Sequence, residues 1–242
     1  MLTANPVELI YWPEIPGRGE FIRLLFEATG TAYTDTTDVQ QVLSVLSGDS
    51  GAVPVFAPPV LRHANLLAQT PAIIAYLAPQ LGLAPEGFAV HQMNSLVLTA
   101  LDFASEVHNT HHPVSVSLYY EDQLPEAKRY SEIFRKERVA KFFGYFERVL
   151  KSAATAAGKE GWLLDGKMTA ADLVLWQVVD GMKFAFPKAS ARVLKECPAL
   201  EKHYELVKGT ERIKEYLASE RRRKYSKGMF RHYPELDDQG EK

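Results

Sequence analysis

Three histidines, His108, His111 and His112, crowd one short stretch, and two of them stand at the i, i+4 spacing that puts side chains on one helical face. Such a pair can ligate a transition metal. However, Pro113 follows directly and no carboxylate or thiol completes a ligand set, so the spacing favours the lining of a cleft or simple exposure, and no metal is expected. Cys197 is the only thiol, which excludes an internal disulfide and any paired-thiol or multi-cysteine metal site. At Gln69-Thr70-Pro71 the residue types suit a helix start, with Thr70 as N-cap and Pro71 at the first helical position. The free N–H groups of such a tip bind carboxylates. Glu220-Arg221-Arg222-Arg223-Lys224 is a charge run that predicts a solvated helix end rather than a nucleic-acid patch.

The 242 residues and 27.1 kDa suit one large domain or two small ones. Hydrophobic residues at 46% and charged ones at 24% match soluble globular proteins and argue against disorder or a fibrous repeat. Lys+Arg 28 against Asp+Glu 30 leaves a net charge of −2, so neither nucleic acid nor a membrane surface is expected as a partner. The apolar stretches fall short of the roughly 20 residues of a membrane span. MLTANPVELIYW lacks the basic and apolar regions of a secretory signal, and a cytoplasmic protein is the expectation.

Val7 to Trp12 reads as a strand, and GRGEFIRLLFEATG as a helix with Gly30 at its C-cap. Ala32 to Thr37 follows as a strand and Val39 to Leu46 as a short helix. PVFAPPVLR with Asn65 to Ala68 makes a hairpin before the helix at Thr70. Beyond residue 80 the strand signals vanish. Val90 to His112 and Pro125 to Ala157 are long helical patterns, and Thr169 to Phe186 is a buried helix opened by Thr169 and Asp172 in a capping-box arrangement. Shorter helices are expected around Ala189–Glu196, Ala199–Lys208 and Glu211–Glu220. Tyr225, Met229, Phe230 and Tyr233 predict a tail that packs back on the bundle, over a substrate cleft. The fold class is α/β plus all-α: a small α/β domain over 1–80, a linker over 81–87 and an all-helical domain over 88–242.

Three motifs in this order carry a resemblance: LIYW…GRGEFIRLLFEATG, PPVLRHANLLAQTPAIIAYLAPQLGL and GWLLDGKMTAADLVLWQVVD. Together they resemble the cytosolic glutathione transferases of the tyrosine type, nearest to the sigma, alpha, mu and pi groups. The resemblance implies a thioredoxin-like N-terminal domain that binds glutathione as co-substrate, without a metal. It further implies a homodimer and a hydrophobic electrophile held by the helical domain, with conjugation serving detoxification or secondary metabolism. In that family a tyrosine at the end of the first strand donates a hydrogen bond to the glutathione sulfur, and Tyr11 matches it. Lowering the thiol pKa by about 2 units from about 8.5 is worth roughly 2.7 kcal/mol. Arg18 would add positive field, Gln69 and Thr70 would hold the γ-glutamyl carboxylate, and Asp102 would reach the γ-glutamyl amine across a dimer interface.

The family's cis-proline is matched by Pro59 in Pro59-Val60-Leu61, which makes Pro58, a residue without an N–H, the one facing the cysteinyl backbone. Alternatively Pro58 is cis and Ala57 makes that contact. The turn after Tyr11 is one residue longer than in the sigma-like pattern. Val39 to Gly51 lacks the Trp or Lys that grips the glycyl carboxylate there, and the nearest basic side chains are Arg62 and His63. Thiol-exchange relatives need a cysteine at the first helix, and serine-type relatives a serine between Leu9 and Gly30; neither is present. The rival readings are a non-catalytic carrier of hydrophobic ligands on the same fold and, third, a scaffolding domain of the kind attached to translation factors.

Overall fold

The computed structural model describes residues 6–48, 53–158 and 161–237. Residues 49–51, the end of the segment read as lacking a carboxylate grip, lie outside that set. β1 (Glu8–Ile10) runs parallel to β2 (Thr34–Thr36) through the crossover helix α1 (Glu20–Thr29). It runs antiparallel to β3 (Val60–His63), which pairs in turn with β4 (Asn65–Ala68), giving the order β2-β1-β3-β4. The pleat sorts the side chains onto two faces. Leu9 and Leu61 face the main core with α1 and α3 (Thr70–Gln80), while Ile10 and Val60 pack on Val42 and Val45 of α2 (Val39–Ser47). The Asp38 carboxylate accepts the Gln40 N–H at 2.9 Å to start α2, and Gly30 ends α1 in the left-handed conformation as its sequence position predicts.

Beyond α3 no named strand forms among the described residues. α4 (Ala89–Asn109) stops short of the predicted His112. The predicted helix over Pro125–Ala157 is α5 (Leu124–Ile133) and α6 (Val139–Ala157), joined by a wide π turn over Phe134–Arg138. That turn sets Phe134 on Phe103 of α4, ring centroids 5.8 Å apart, and aims Arg138 at Glu106 through two bonds of 2.7 and 2.6 Å. α7 (Ala170–Ala185) is buried almost throughout and packs on α1, α4, α8 (Pro187–Leu194) and α9 (Pro198–Gly209); α10 (Glu211–Ala218) follows. Its capping residue Asp172 is fully buried. One carboxylate oxygen accepts the Thr169 N–H and O–H, each at 2.7 Å; the other accepts from Leu163 N at 2.9 Å and His203 Nε2 at 3.1 Å. No helix is long and apolar enough to cross a membrane among the described residues.

The arginine run is not the solvated helix end that its composition predicts. Arg221 pairs with Glu27, Arg222 with Glu20 and Asp180, and Arg223 with Asp35, so the run ties the end of the helical region to α1 and β2. Glu20 is fully buried and also accepts from Arg23 and the Tyr216 hydroxyl, which explains why a cluster of cations is drawn inward. The tail then packs back as expected. Met229, Phe230 and Leu236 are buried, Tyr233 stacks on Tyr120 at 3.8 Å, and the Phe230 ring lies so close to Gly181 that a Cβ there would meet it at 2.5 Å. Its last described residue, Asp237, accepts the Lys188 and Ala189 N–H groups at 2.7 and 3.1 Å and so caps α8 from a distance. Replacing it (Asp237→Ala) should cost about 1–2 kcal/mol, as for other caps. In a thermal scan that is a fall in Tm of about 2–8 °C for a chain of this size.

Candidate active site

Ile10, Val60 and Ala68 form the last paired rung across β1, β3 and β4. The residues that step off this rung at the same end of the sheet are Tyr11, Pro59 and Gln69. The register therefore gathers three of the sequence-predicted positions at one edge, with Thr70 directly behind Gln69.

Tyr11 continues the alternation of β1 and points to the Leu9 side, toward α1. Its N–H donates to Thr36 O at 3.0 Å, and its side chain is buried under the turn Gly17–Gly19. Both glycines are there for space. A Cβ on Gly17, whose φ is +45°, would lie 2.2 Å from the Tyr11 hydroxyl oxygen, and one on Gly19 would lie 2.8 Å from the ring. The hydroxyl oxygen accepts the Arg18 N–H at 2.8 Å. Its own proton goes to no acceptor among the described residues. Burial raises the Tyr11 pKa above its ordinary 10, against the lowering effects of the Arg18 N–H and the Arg23 and Arg18 charges, so the group is a neutral donor at physiological pH. Arg23 lies 5.7 Å from the ring centroid. The sequence reading missed these supporting residues, although a Gly-x-Gly just after a strand is the signal of a backbone that must approach something closely.

The Arg18 guanidinium donates to Ser105 Oγ on α4 at 3.0 Å, bridging the first turn and the helical region. Gln69, not Thr70, is the N-cap of α3. It holds φ 73° and ψ 116°, a conformation rare for a residue with a side chain, and makes no side-chain cap bond. Thr70 is thereby moved to the first helical position, ahead of Pro71. Its hydroxyl is buried and has no hydrogen-bond partner. The cis bond is Pro58–Pro59, which resolves the two alternatives in favour of Pro59, and Val60 is buried in the β1–β3–β4 ladder. Asp102 is exposed on α4, away from this edge in sequence. Arg62 is engaged by Glu8 across the β1–β3 pair, and His63 is buried with its Nδ1 2.8 Å from the Tyr76 hydroxyl.

Across from Arg18, His108, His111 and His112 converge because the chain leaves α4 at Asn109 and folds back. Burial, followed by the charges of neighbouring groups, pushes His108 down to about 4 and His111 to about 2, so both rings are neutral at pH 7. A Cβ on Gly228 of the tail would lie 3.7 Å from the Gly17 backbone nitrogen, so the tail passes beside the turn that covers Tyr11.

A sequence model of the glutathione S-transferase C-terminal domain matches residues 108–220. A glutathione S-transferase of Plasmodium yoelii yoelii is 26% identical over 221 residues, covering 86% of this chain and 92% of the relative. One of Plasmodium falciparum is 25% identical over 230 residues, covering 90% and 98%. The pi-class glutathione S-transferase of Onchocerca volvulus superposes with a TM-score of 0.68 at 19% identity over 87% of this chain and 91% of that one. The glutathione S-transferase of Ascaris lumbricoides gives 0.67 at 21% identity, over 91% and 98%. These matches support the cytosolic glutathione transferase family, and the thioredoxin-like sheet leading into a helical region is the fold of the superposed structures.

Proposed function

We propose that this chain is a glutathione transferase that conjugates the glutathione thiolate to hydrophobic electrophiles. The observation that carries the reading is the rung end of the sheet. Tyr11, Pro59 and Gln69 leave adjacent strands there, and two strand spacings separate the first from the last by about 10 Å. An extended tripeptide spans about the same distance. Its sulfur would meet the unspent proton of Tyr11, and its γ-glutamyl carboxylate the N–H groups and buried hydroxyl at the tip of α3. Arg18 adds positive charge beside the phenol. The electrophile would sit between the Tyr11 turn and the helical region. The domain division at 1–80 and 88–242, a cytoplasmic location and a homodimer are part of the same proposal. Phe56 at 91% and Leu98 at 49% exposure, with Asp102 nearby on α4, support a self-association surface, and an elution mass of twice the 27.1 kDa chain is expected.

The test is retention on immobilised glutathione followed by conjugation of 1-chloro-2,4-dinitrobenzene. Thr70→Val should raise the KM for glutathione about fivefold, the worth of about 1 kcal/mol for one hydrogen bond, with kcat little changed. An unchanged KM would remove Thr70 from the site. A second reading, a non-catalytic carrier on the same fold, is favoured by Pro58. As the residue before the cis-proline it has no N–H, so half of an antiparallel pair with the cysteinyl backbone cannot form. Retention without turnover would select the carrier.

A further inference from the structure

We infer that His108, His111 and His112 form a site for one divalent transition-metal ion of the imidazole-preferring class, such as zinc or nickel. The three rings stand in a near-equilateral triangle with centroids 4.9, 5.0 and 5.0 Å apart. One ligand nitrogen from each lies within 4.8 Å of the others. Metal–nitrogen bonds of about 2.1 Å in tetrahedral geometry bring such nitrogens to about 3.4 Å, a contraction that side-chain rotation supplies. Two of the rings are buried, and His111 Nε2 is enclosed without any hydrogen-bond partner. An orphaned nitrogen of this kind calls for an explanation, and a lone pair aimed at an ion provides one.

The surroundings hold the rings in place. His112 Nδ1 lies 3.2 Å from the Gln123 carboxamide, which is fixed in turn by the Val114 N–H at 2.9 Å and the Ser115 carbonyl at 3.1 Å. The backbone of Gly228 serves the His111 ring. The acceptors that take a second ring N–H, as the outer shell of a metal-binding imidazole does, are backbone groups: Gly228 at His111, and Leu118 and Ser115 at His112. Arg18 and Arg231 are the charged groups facing the cluster. They oppose a bare dication, and three neutral ligands leave a coordination position open. The same cations favour an anion in that position, a chloride or hydroxide, which completes four-coordination and lowers the net charge.

The experiment uses the full chain with any affinity tag removed, stripped with a chelator and titrated with Zn(II) by calorimetry and Co(II) by absorption. One ion per chain and the intense visible bands of four-coordinate cobalt are expected. His108→Gln, at the half-exposed member, and His111→Gln should each weaken binding by more than the 10–100-fold that outer-shell changes cost. His91→Gln, elsewhere on α4, should leave it unchanged. His108→Gln is the change least able to disturb folding, so a loss there with an unaltered circular dichroism spectrum supports the site even if His111→Gln misfolds. Substoichiometric binding by the wild type, or one ion per chain that survives His108→Gln, would overturn it. Neither result bears on glutathione binding, which is read separately.

Discussion

Tyr11→Phe is expected to lower kcat/KM for conjugation of 1-chloro-2,4-dinitrobenzene about 30-fold at pH 6.5. The estimate follows from the kind of bond removed. A hydrogen bond to a charged acceptor contributes about 2 kcal/mol, which is about 30-fold in rate and about 1.5 units in the pKa of the bound thiol. The ring stays, so its packing under Gly17 and Gly19 is kept, and the Arg18 N–H loses its acceptor. The deficit should depend on pH in a definite direction. With the phenol present the bound thiol ionises below the free value of about 8.5, and without it the pKa moves back toward that value. The two enzymes therefore differ most at acid pH and converge as pH rises past it. Tyr11 itself adds no falling limb below pH 10, because burial raises its pKa. Gly17→Ala should reproduce the loss with the phenol still in the sequence, since the new Cβ would fall 2.2 Å from the hydroxyl oxygen at a φ of +45° that alanine tolerates poorly. If Tyr11→Phe turns over at the wild-type rate across this range, the phenol does not stabilise the thiolate, and the likeness to glutathione transferases alone remains.

The parts of this site that sequence made legible are those encoded locally. Leu9-Ile10-Tyr11 alternates as a strand must, Gly30 punctuates α1, and Thr169 with Asp172 announces α7. Each signal lies within one turn or one pleat of its effect. What could not be read depends on groups brought together by the fold. The arginines at 221–223 look like a solvated end because their carboxylate partners Glu20, Glu27 and Asp35 belong to the opposite end of the chain. His108, His111 and His112 are legible in the sequence as a cluster, but the mutual approach of all three rings depends on the helix stopping at Asn109. The shift of the α3 cap from Thr70 to Gln69 has the same origin. Thr70 is the better capping residue by type, but the strand must reverse into the helix within one residue, and Gln69 absorbs that reversal at positive φ. Arg62 and His63 were near in sequence and basic, but β-pairing gives Arg62 to Glu8, and the α3 contact gives His63 to Tyr76.

Asp172→Ala should be the most destabilising of the single changes considered, at about 3–5 kcal/mol, read by urea or thermal unfolding. The carboxylate is fully buried and receives four donors: Leu163 N, Thr169 N, Thr169 Oγ1 and His203 Nε2. Deleting it leaves those donors in a space that water does not fill, at about 1–3 kcal/mol for each that finds no new partner. The sum is not reached, because the segment around Leu163 can shift and the first turn of α7 can fray. Asp172→Asn separates charge from shape. One oxygen still accepts, but the amide nitrogen presents hydrogens to donors, so a cost close to that of alanine is expected rather than a rescue. Thr169→Val removes one donor from a carboxylate oxygen that keeps the Thr169 N–H, and should cost about 1 kcal/mol. For a domain whose total stability is about 5–15 kcal/mol, the alanine variant loses about a fifth of it or more. The fraction that remains folded should conjugate with unaltered kcat, because Asp172 touches none of the groups at the rung end of the sheet. A cost below about 1 kcal/mol would mean that the donors re-pair locally and that the buried carboxylate does not hold α7 in register with its neighbours.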